Sequence, residues 1–370
     1  MTIEYENLRL LNQPYAEAYK REFDALLESG WFILGERVKA FESQFADYLK
    51  SKYFLGLASG LDALEIALKV LDLPPGSGVI VPSNTYIATI NAILNTGHKP
   101  VFVEADPNTC NIDASKIEEK IDANVRAMMI VHLYGLPCQM DEINRICQKH
   151  QLYLIEDCAQ SHGATFNGQQ TGTYGTFGAF SFYPTKNLGA LGDAGGMSIQ
   201  EDALYEKVKA FRNYGSHVKY KNEYIGDNSR LDEMQAVFLS VKLRHLEAIS
   251  EHKRKLAALY HAHLDGNKFI KPIEPEGYRH VYHIYNVRHP ERDQLKAYLL
   301  ENDIRADIHY PIAPCDQKSI QDFYKAKGWV IPEDDFKISR QIHNTELSLP
   351  ISTIHSEEQI LKVIEVMNKF

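Results

Sequence analysis

Residues 152–163 read LYLIEDCAQSHG, and residues 177–196 read FGAFSFYPTKNLGALGDAGG. Each opens as a short, continuously apolar run, the pattern of a strand covered on both faces. Each closes on a group that carries chemistry: Glu156-Asp157 in the first, Lys186 in the second. In open α/β sheets, ligands bind at the carboxyl ends of parallel strands. A carboxylate there can hold a ring nitrogen protonated by a charge-assisted hydrogen bond, or simply be solvated. A lysine at the mouth of a buried strand loses hydration, which lowers its pKa and makes it nucleophilic toward an aldehyde. An exposed loop lysine is the competing reading of Lys186. Gln160 and His162 lie within a turn of Asp157 and could reach the same ligand. Neighbouring strands would bring Asp157 and Lys186 into one crevice.

Working outward, apolar residues at Leu61, Leu64, Leu68 and Leu71 have helical spacing. Runs at 79–81, 101–103, 127–131 and 152–155 predict strands, and 87–94 and 143–150 predict helices. Short apolar strands alternating with helices from about residue 50 to about 200 specify a mostly parallel sheet covered on both faces. Later the pattern shifts to long helices at 231–248 and 253–264, a strand at 281–287 and a terminal helix at 357–369. The expected division is a large α/β domain over 1–245 and a smaller α+β domain over 246–370. Residues 1–30 are candidates to pack with the smaller one.

A third site lies at the turn Ala58-Ser59-Gly60, where a strand meets a helix. A helix amino terminus offers unpaired N–H groups to a phosphate, and glycine lets the backbone approach. Ser59 also fits as an ordinary helix cap.

Composition narrows the classes. The chain has 370 residues, 44% hydrophobic and 24% charged, as in globular proteins. A formal net charge of −9 disfavours a nucleic-acid binder. Five scattered cysteines without CxxC pairing suggest reduced thiols and no metal site. With no leader-like start and no spanning apolar run, no membrane partner is expected, and the cytoplasm is the expected compartment.

The segments ASGLDAL (58–64), IEDCAQSHGA (155–164) and SFYPTKNLGALGDAGG (181–196) resemble the DegT/DnrJ/EryC1/StrS sugar aminotransferases. VPSNTYIATINAI (81–93), RNYGS (212–216), NSRLDEMQA (228–236) and YPIAP (310–314) extend the likeness in colinear order. The resemblance implies the aspartate-aminotransferase fold (fold type I) and pyridoxal 5'-phosphate (PLP) as cofactor. It implies Lys186 as the lysine bonded to PLP and Asp157 as the partner of its ring nitrogen. Gln160 would lie on its 3-hydroxyl side and Tyr86 would stack on its ring. Ser59, Gly60, Leu61 and Ser181 would hold its phosphate, joined by Asn228 from a second subunit of a homodimer. Tyr86 could instead be a core tyrosine, and Asn228 part of a helix start.

By resemblance the reaction moves an amino group from L-glutamate to C3 of a dTDP-3-keto-6-deoxyhexose, with the galacto configuration favoured. The dTDP-3-amino-3,6-dideoxyhexose would serve a surface polysaccharide such as the O-antigen of lipopolysaccharide. Lys219, His309 and Tyr310 are the candidate substrate contacts. A gluco product, amination at C4 of a 4-keto sugar, and a non-catalytic regulator of the same fold are the alternatives.

Overall fold

Seven short strands form the central sheet of the computed structural model, which describes residues 2–332 and 335–370. They are β1 (Tyr53–Leu57), β2 (Gly78–Pro82), β3 (Lys99–Val103), β4 (Val125–Val131), β5 (Tyr153–Asp157), β6 (Phe177–Ser181) and β7 (Gly195–Ile199). Their spatial order is β1-β7-β6-β5-β4-β2-β3. Neighbours from β3 to β6 pair in parallel, while β7 runs antiparallel to both β6 and β1.

The apolar runs lack alternation because both faces are covered. In β4, Ala127 and Met129 join the core beneath helices Gly60–Val70 and Ile87–Asn95, while Met128 and Ile130 meet helix Met140–His150. Successive side chains of a strand point to opposite faces, so an uninterrupted apolar run satisfies both layers. Helix Glu36–Leu49 packs a cluster of aromatic side chains, Phe41 and Phe45 against Phe54, Phe180 and Phe182.

The carboxyl-terminal part differs from expectation in two places. The helices expected at 231–248 and 253–264 are instead Glu233–Leu243 and Leu246–His263. The bend falls at Arg244–His245, and Leu246, Ile249, Lys253, Leu256 and Tyr260 continue one buried face through the expected gap. The expected border at 245/246 therefore falls at this bend. The strand expected at 281–287 is only Tyr285–Arg288, paired with Glu346–Leu349. Its first residues are irregular because Tyr282 has a positive φ of 44°. Helices Arg292–Glu301 and Glu357–Lys369 close the core around this strand pair. The amino terminus divides: Ile3 pairs with Ile304, whereas helix Ala16–Ser29 packs Tyr19 on Phe238, 4.9 Å between ring centroids.

One buried carboxylate fixes the end of β5. Glu156 accepts the N–H groups of Gly172 (2.7 Å), Tyr174 (2.8 Å) and Gly175 (2.7 Å), and pairs with His132 Nε2 at 3.0 Å. It thereby anchors the chain between β5 and β6. His132, Glu156 and Cys158 stand close enough to hold an ion. The donors and acceptors of His132 and Glu156 are already spent on one another and on the backbone, with Cys138 N–H on His132 Nδ1. Glu156→Gln would turn a donor toward donors. We expect it to lower stability by about 2–4 kcal/mol, measured as a shifted urea midpoint; an unchanged midpoint would refute the anchor.

Candidate active site

Asp157 is the last residue of β5, paired in register with Ala179 of β6, so the ends of both strands open onto one cleft. Its Oδ2 accepts the Thr89 hydroxyl at 2.9 Å and its Oδ1 the Ala159 N–H at 3.1 Å. Burial pushes the carboxyl above the usual carboxylate range, while these two donors and the nearby Lys186 pull it back. Beyond β6, residues 183–186 turn, with Lys186 N–H donating to Tyr183 O at 2.8 Å. Loss of hydration lowers the Lys186 amine to about 8, and Asp157 opposes that shift. Near neutrality this amine lies much closer to its free-base form than an ordinary lysine.

The cleft holds about 530 Å³. Ser59, Gly60, Leu61, Tyr86, Asp157, Gln160, Ser181 and Lys186 all line it, as do His309 and Tyr310. Lys219 and Asn228 do not. Lys219 sits exposed on the hairpin 216–222, its amine 5.0 Å from the Tyr220 ring, and Asn228 is exposed beside Asn213. Tyr86 is not a core residue: it is 52% exposed, caps helix Ile87–Asn95, and its ring lies 5.0 Å from that of Tyr310. Gln160 joins two walls, accepting Tyr134 N–H at 2.6 Å and donating to the Tyr310 hydroxyl at 3.1 Å. His162 does not reach the cleft. It is buried between Phe180 and Phe182, which push its imidazolium down to about 3.

Ser59 does cap its helix, accepting Asp62 N–H at 3.1 Å. The N–H groups of Gly60 and Leu61 find no acceptor among the described residues and stay available to a ligand. The backbone is packed tightly around this turn. A Cβ on Gly60 would stand 2.7 Å from Ser181 Cβ, and one on Gly195 2.2 Å from the Ser59 carbonyl carbon. Glycine therefore permits the close approach of helix, β6 and β7 that forms the phosphate-sized cradle.

Sequence reasoning missed Thr89, which bonds Asp157, and His283, whose Nδ1 is buried without a partner where the residue lines the cleft. Thr89 lies one turn after Tyr86 and was hidden in an apolar helix. His283 lies in the segment expected to be regular strand. A cradle of free N–H groups, a buried carboxylate and a low-pKa amine around one cleft fit PLP, which carries a phosphate, a basic ring nitrogen and an aldehyde.

The model of the DegT/DnrJ/EryC1/StrS aminotransferase family matches residues 15–368. The chain is 46% identical over 369 residues to the dTDP-3-amino-3,6-dideoxy-alpha-D-galactopyranose transaminase of Aneurinibacillus thermoaerophilus, covering 100% of this chain and 99% of that one. The crystal structure of S. venezuelae DesV in complex with a ketimine intermediate superposes with a TM-score of 0.95 at 35% identity, covering 100% and 98%. NtdA from Bacillus subtilis, with bound cofactor PMP, gives 0.89 at 29% identity, covering 98% and 85%. Sequence and shape agree along the chain, and the protein belongs to the DegT/DnrJ/EryC1/StrS family of PLP-dependent sugar aminotransferases.

Proposed function

We propose that this enzyme transfers the amino group of L-glutamate to C3 of a dTDP-linked 3-keto-6-deoxyhexose of galacto configuration. The observation that carries this reading is end-to-end likeness to a transaminase of that product, joined to an intact Lys186–Asp157 pair in the cleft. The division of labour is a cofactor domain over 1–245 and a smaller domain over 246–370 that supplies His283, His309 and Tyr310 to the cleft.

Bound PLP supplies an electron-withdrawing ring through which an amino group passes from donor to acceptor. Gly60 and Leu61 N–H, with Ser59 and Ser181, would hold its phosphate at the positive end of helix Gly60–Val70. Asp157 would face the ring nitrogen, its charge restored by that proton against the cost of burial. Thr89 and Ala159 keep the carboxylate aimed there. Tyr86 would lie against the ring and Gln160 beside the 3-hydroxyl. Lys186 Nζ, the amine at the mouth of the cleft, would take the proton from the donor's α-carbon and hand it on across the same face. A pKa near 8 suits an amine that must both accept and give a proton.

The outward position of Asn228 supports its acting in the cleft of the partner subunit. Trp31, Phe32, Ile33, Tyr220 and Ile225 are exposed apolar side chains, and Ile33 pairs with Asp232 near that segment. Burying exposed apolar side chains of this kind stabilises association, so we infer two copies in one functional unit, with Lys219 carried toward the partner's nucleotide. The product would enter a surface polysaccharide such as lipopolysaccharide O-antigen, made from the cytoplasm. No helix among the described residues is long and apolar enough to cross a membrane, and all five cysteines are free.

Two experiments test the reading. Supplied with glutamate and dTDP-3-keto-6-deoxyhexoses of both C4 configurations, the enzyme is expected to give the galacto 3-amino product by NMR. Lys186→Ala should give none; preferential turnover of a 4-keto sugar would overturn the assignment. Lys186→Ala and Asn228→Ala chains are each expected to be inactive, yet co-expression should restore activity. A mixed dimer would contain one site with a native lysine and the native Asn228 of the partner subunit. No restoration would place Asn228 in its own chain's site or outside catalysis.

A further inference from the structure

Behind the His309 wall of the cleft lies a buried carboxylate that the proposed chemistry does not use. Glu346 opens the strand Glu346–Leu349 and is fully buried. One oxygen accepts the His309 backbone N–H at 2.7 Å, and the other is hydrogen bonded to the Ser348 hydroxyl. Ser348 Oγ in turn lies 2.9 Å from His309 Nδ1. Strand geometry creates this chain. Residues 346 and 348 share one face of the strand, and the Asp307–Ser348 backbone pair lays residue 309 alongside. His309 lines the cleft, and its Nε2 has no partner among the described residues.

The groups packed around the carboxylate offset its burial only in part: the Ser348 hydroxyl, the His309 N–H and the Arg292 charge pull it down, and Asp307 pushes it up. Tyr5 reaches the Ser348 hydroxyl; Tyr134, Tyr310 and Cys110 are neutral; Asp307 is acidic. The Arg292 guanidinium is spent on the carbonyls of His343 and Glu346 and on Asp293. Burial pushes the Glu346 carboxyl up to about 8. Burial also lowers the His309 imidazolium to about 4, so that ring is neutral under working conditions and its tautomer is open.

We propose that Glu346 is a positioning residue which, through Ser348, sets the tautomer that His309 presents to the keto sugar. This rests on the reading of His309 as a sugar contact. With Glu346 neutral, its O–H donates to Ser348 Oγ, Ser348 donates to His309 Nδ1, and His309 offers Nε2–H to the cleft. With Glu346 ionised, Ser348 donates to the carboxylate and His309 Nδ1–H donates to Ser348. His309 Nε2 is then bare. Passing between the two, the Glu346 proton moves to Ser348, the Ser348 proton moves to Nδ1, and the Nε2 proton leaves to water. One proton is lost in all, and no other reactant is needed. A ketone oxygen only accepts hydrogen bonds, so only the first arrangement can serve it.

The sign follows. The binding-competent form predominates below about pH 8 and is lost as pH rises through that value. The KM for the keto sugar should then climb by about tenfold per pH unit, as expected when the competent fraction falls. Glu346→Gln mimics the neutral acid, since its amide can donate to Ser348 while its oxygen accepts from His309 N–H. In the holoenzyme with 15N-labelled histidine, the wild-type His309 ring should pass from the Nε2–H to the Nδ1–H form near pH 8. The variant should stay Nε2–H, with no alkaline rise in KM. Ser348→Ala, which breaks the link, should uncouple the ring from that transition even where the first variant folds poorly. A wild-type tautomer constant across about pH 8, or a transition surviving in both variants, would overturn the proposal. So would a switch with no effect on KM. A switch seen in an enzyme that turns over no dTDP-keto sugar would sustain the device and sink the proposed substrate instead.

Discussion

A buried carboxylate and a half-buried amine share one cleft at the end of a parallel sheet, and each opposes the shift that burial imposes on the other. Burial drives Asp157 up and Lys186 down; their mutual attraction opposes both shifts. Such a pair is costly without a function, because two charges removed from water gain little from one distant partner. A ligand that brings a positive ring nitrogen to Asp157 and an aldehyde to Lys186 relieves both strains at once. That is the chemical demand PLP meets.

The remaining architecture serves to hold this pair in place. Glu156, one residue before Asp157, ties four donors and fixes the strand end. Close glycine contacts bring helix Gly60–Val70 against β6 and β7, so its free N–H groups face the same cleft. The carboxyl-terminal part closes the opposite wall. Lys253, on helix Leu246–His263, donates to Asn187 Oδ1 at 2.8 Å and to His283 O at 3.1 Å. It thereby ties the residue next to Lys186 to the wall that carries His283.

Much of this was legible in the sequence, for a physical reason. Strands buried on both faces leave continuous apolar runs, and β2 to β6 appear in such runs within a few residues of their observed ends. Residues that act at strand ends or helix starts, such as Asp157, Lys186 and Gly60, are marked by those boundaries. The helix at 246–263 was misread because its buried face includes Lys253 and Ser250, polar residues that break an apolar count. His283 escaped notice because a positive φ at Tyr282 takes its segment out of strand geometry. Glu346 reads as an ordinary strand residue; the His309 N–H that it accepts lies 37 residues away in sequence. Contacts of that kind come from tertiary packing and leave no local pattern. Asn228 and Lys219 lie outside the cleft of their own chain, so the roles proposed for them require a second copy of the chain.

The most direct test of the central pair is the affinity of the apoprotein for PLP, measured by absorbance titration in wild type and Asp157→Asn. The substitution keeps shape but removes the charge, and a charge-assisted hydrogen bond contributes about 1.5–3 kcal/mol. The expected result is PLP binding weakened by about tenfold to a hundredfold with an unchanged melting temperature. Equal affinity in the two proteins would show that Asp157 does not meet the ring nitrogen, and the account of the cleft would fail at its centre.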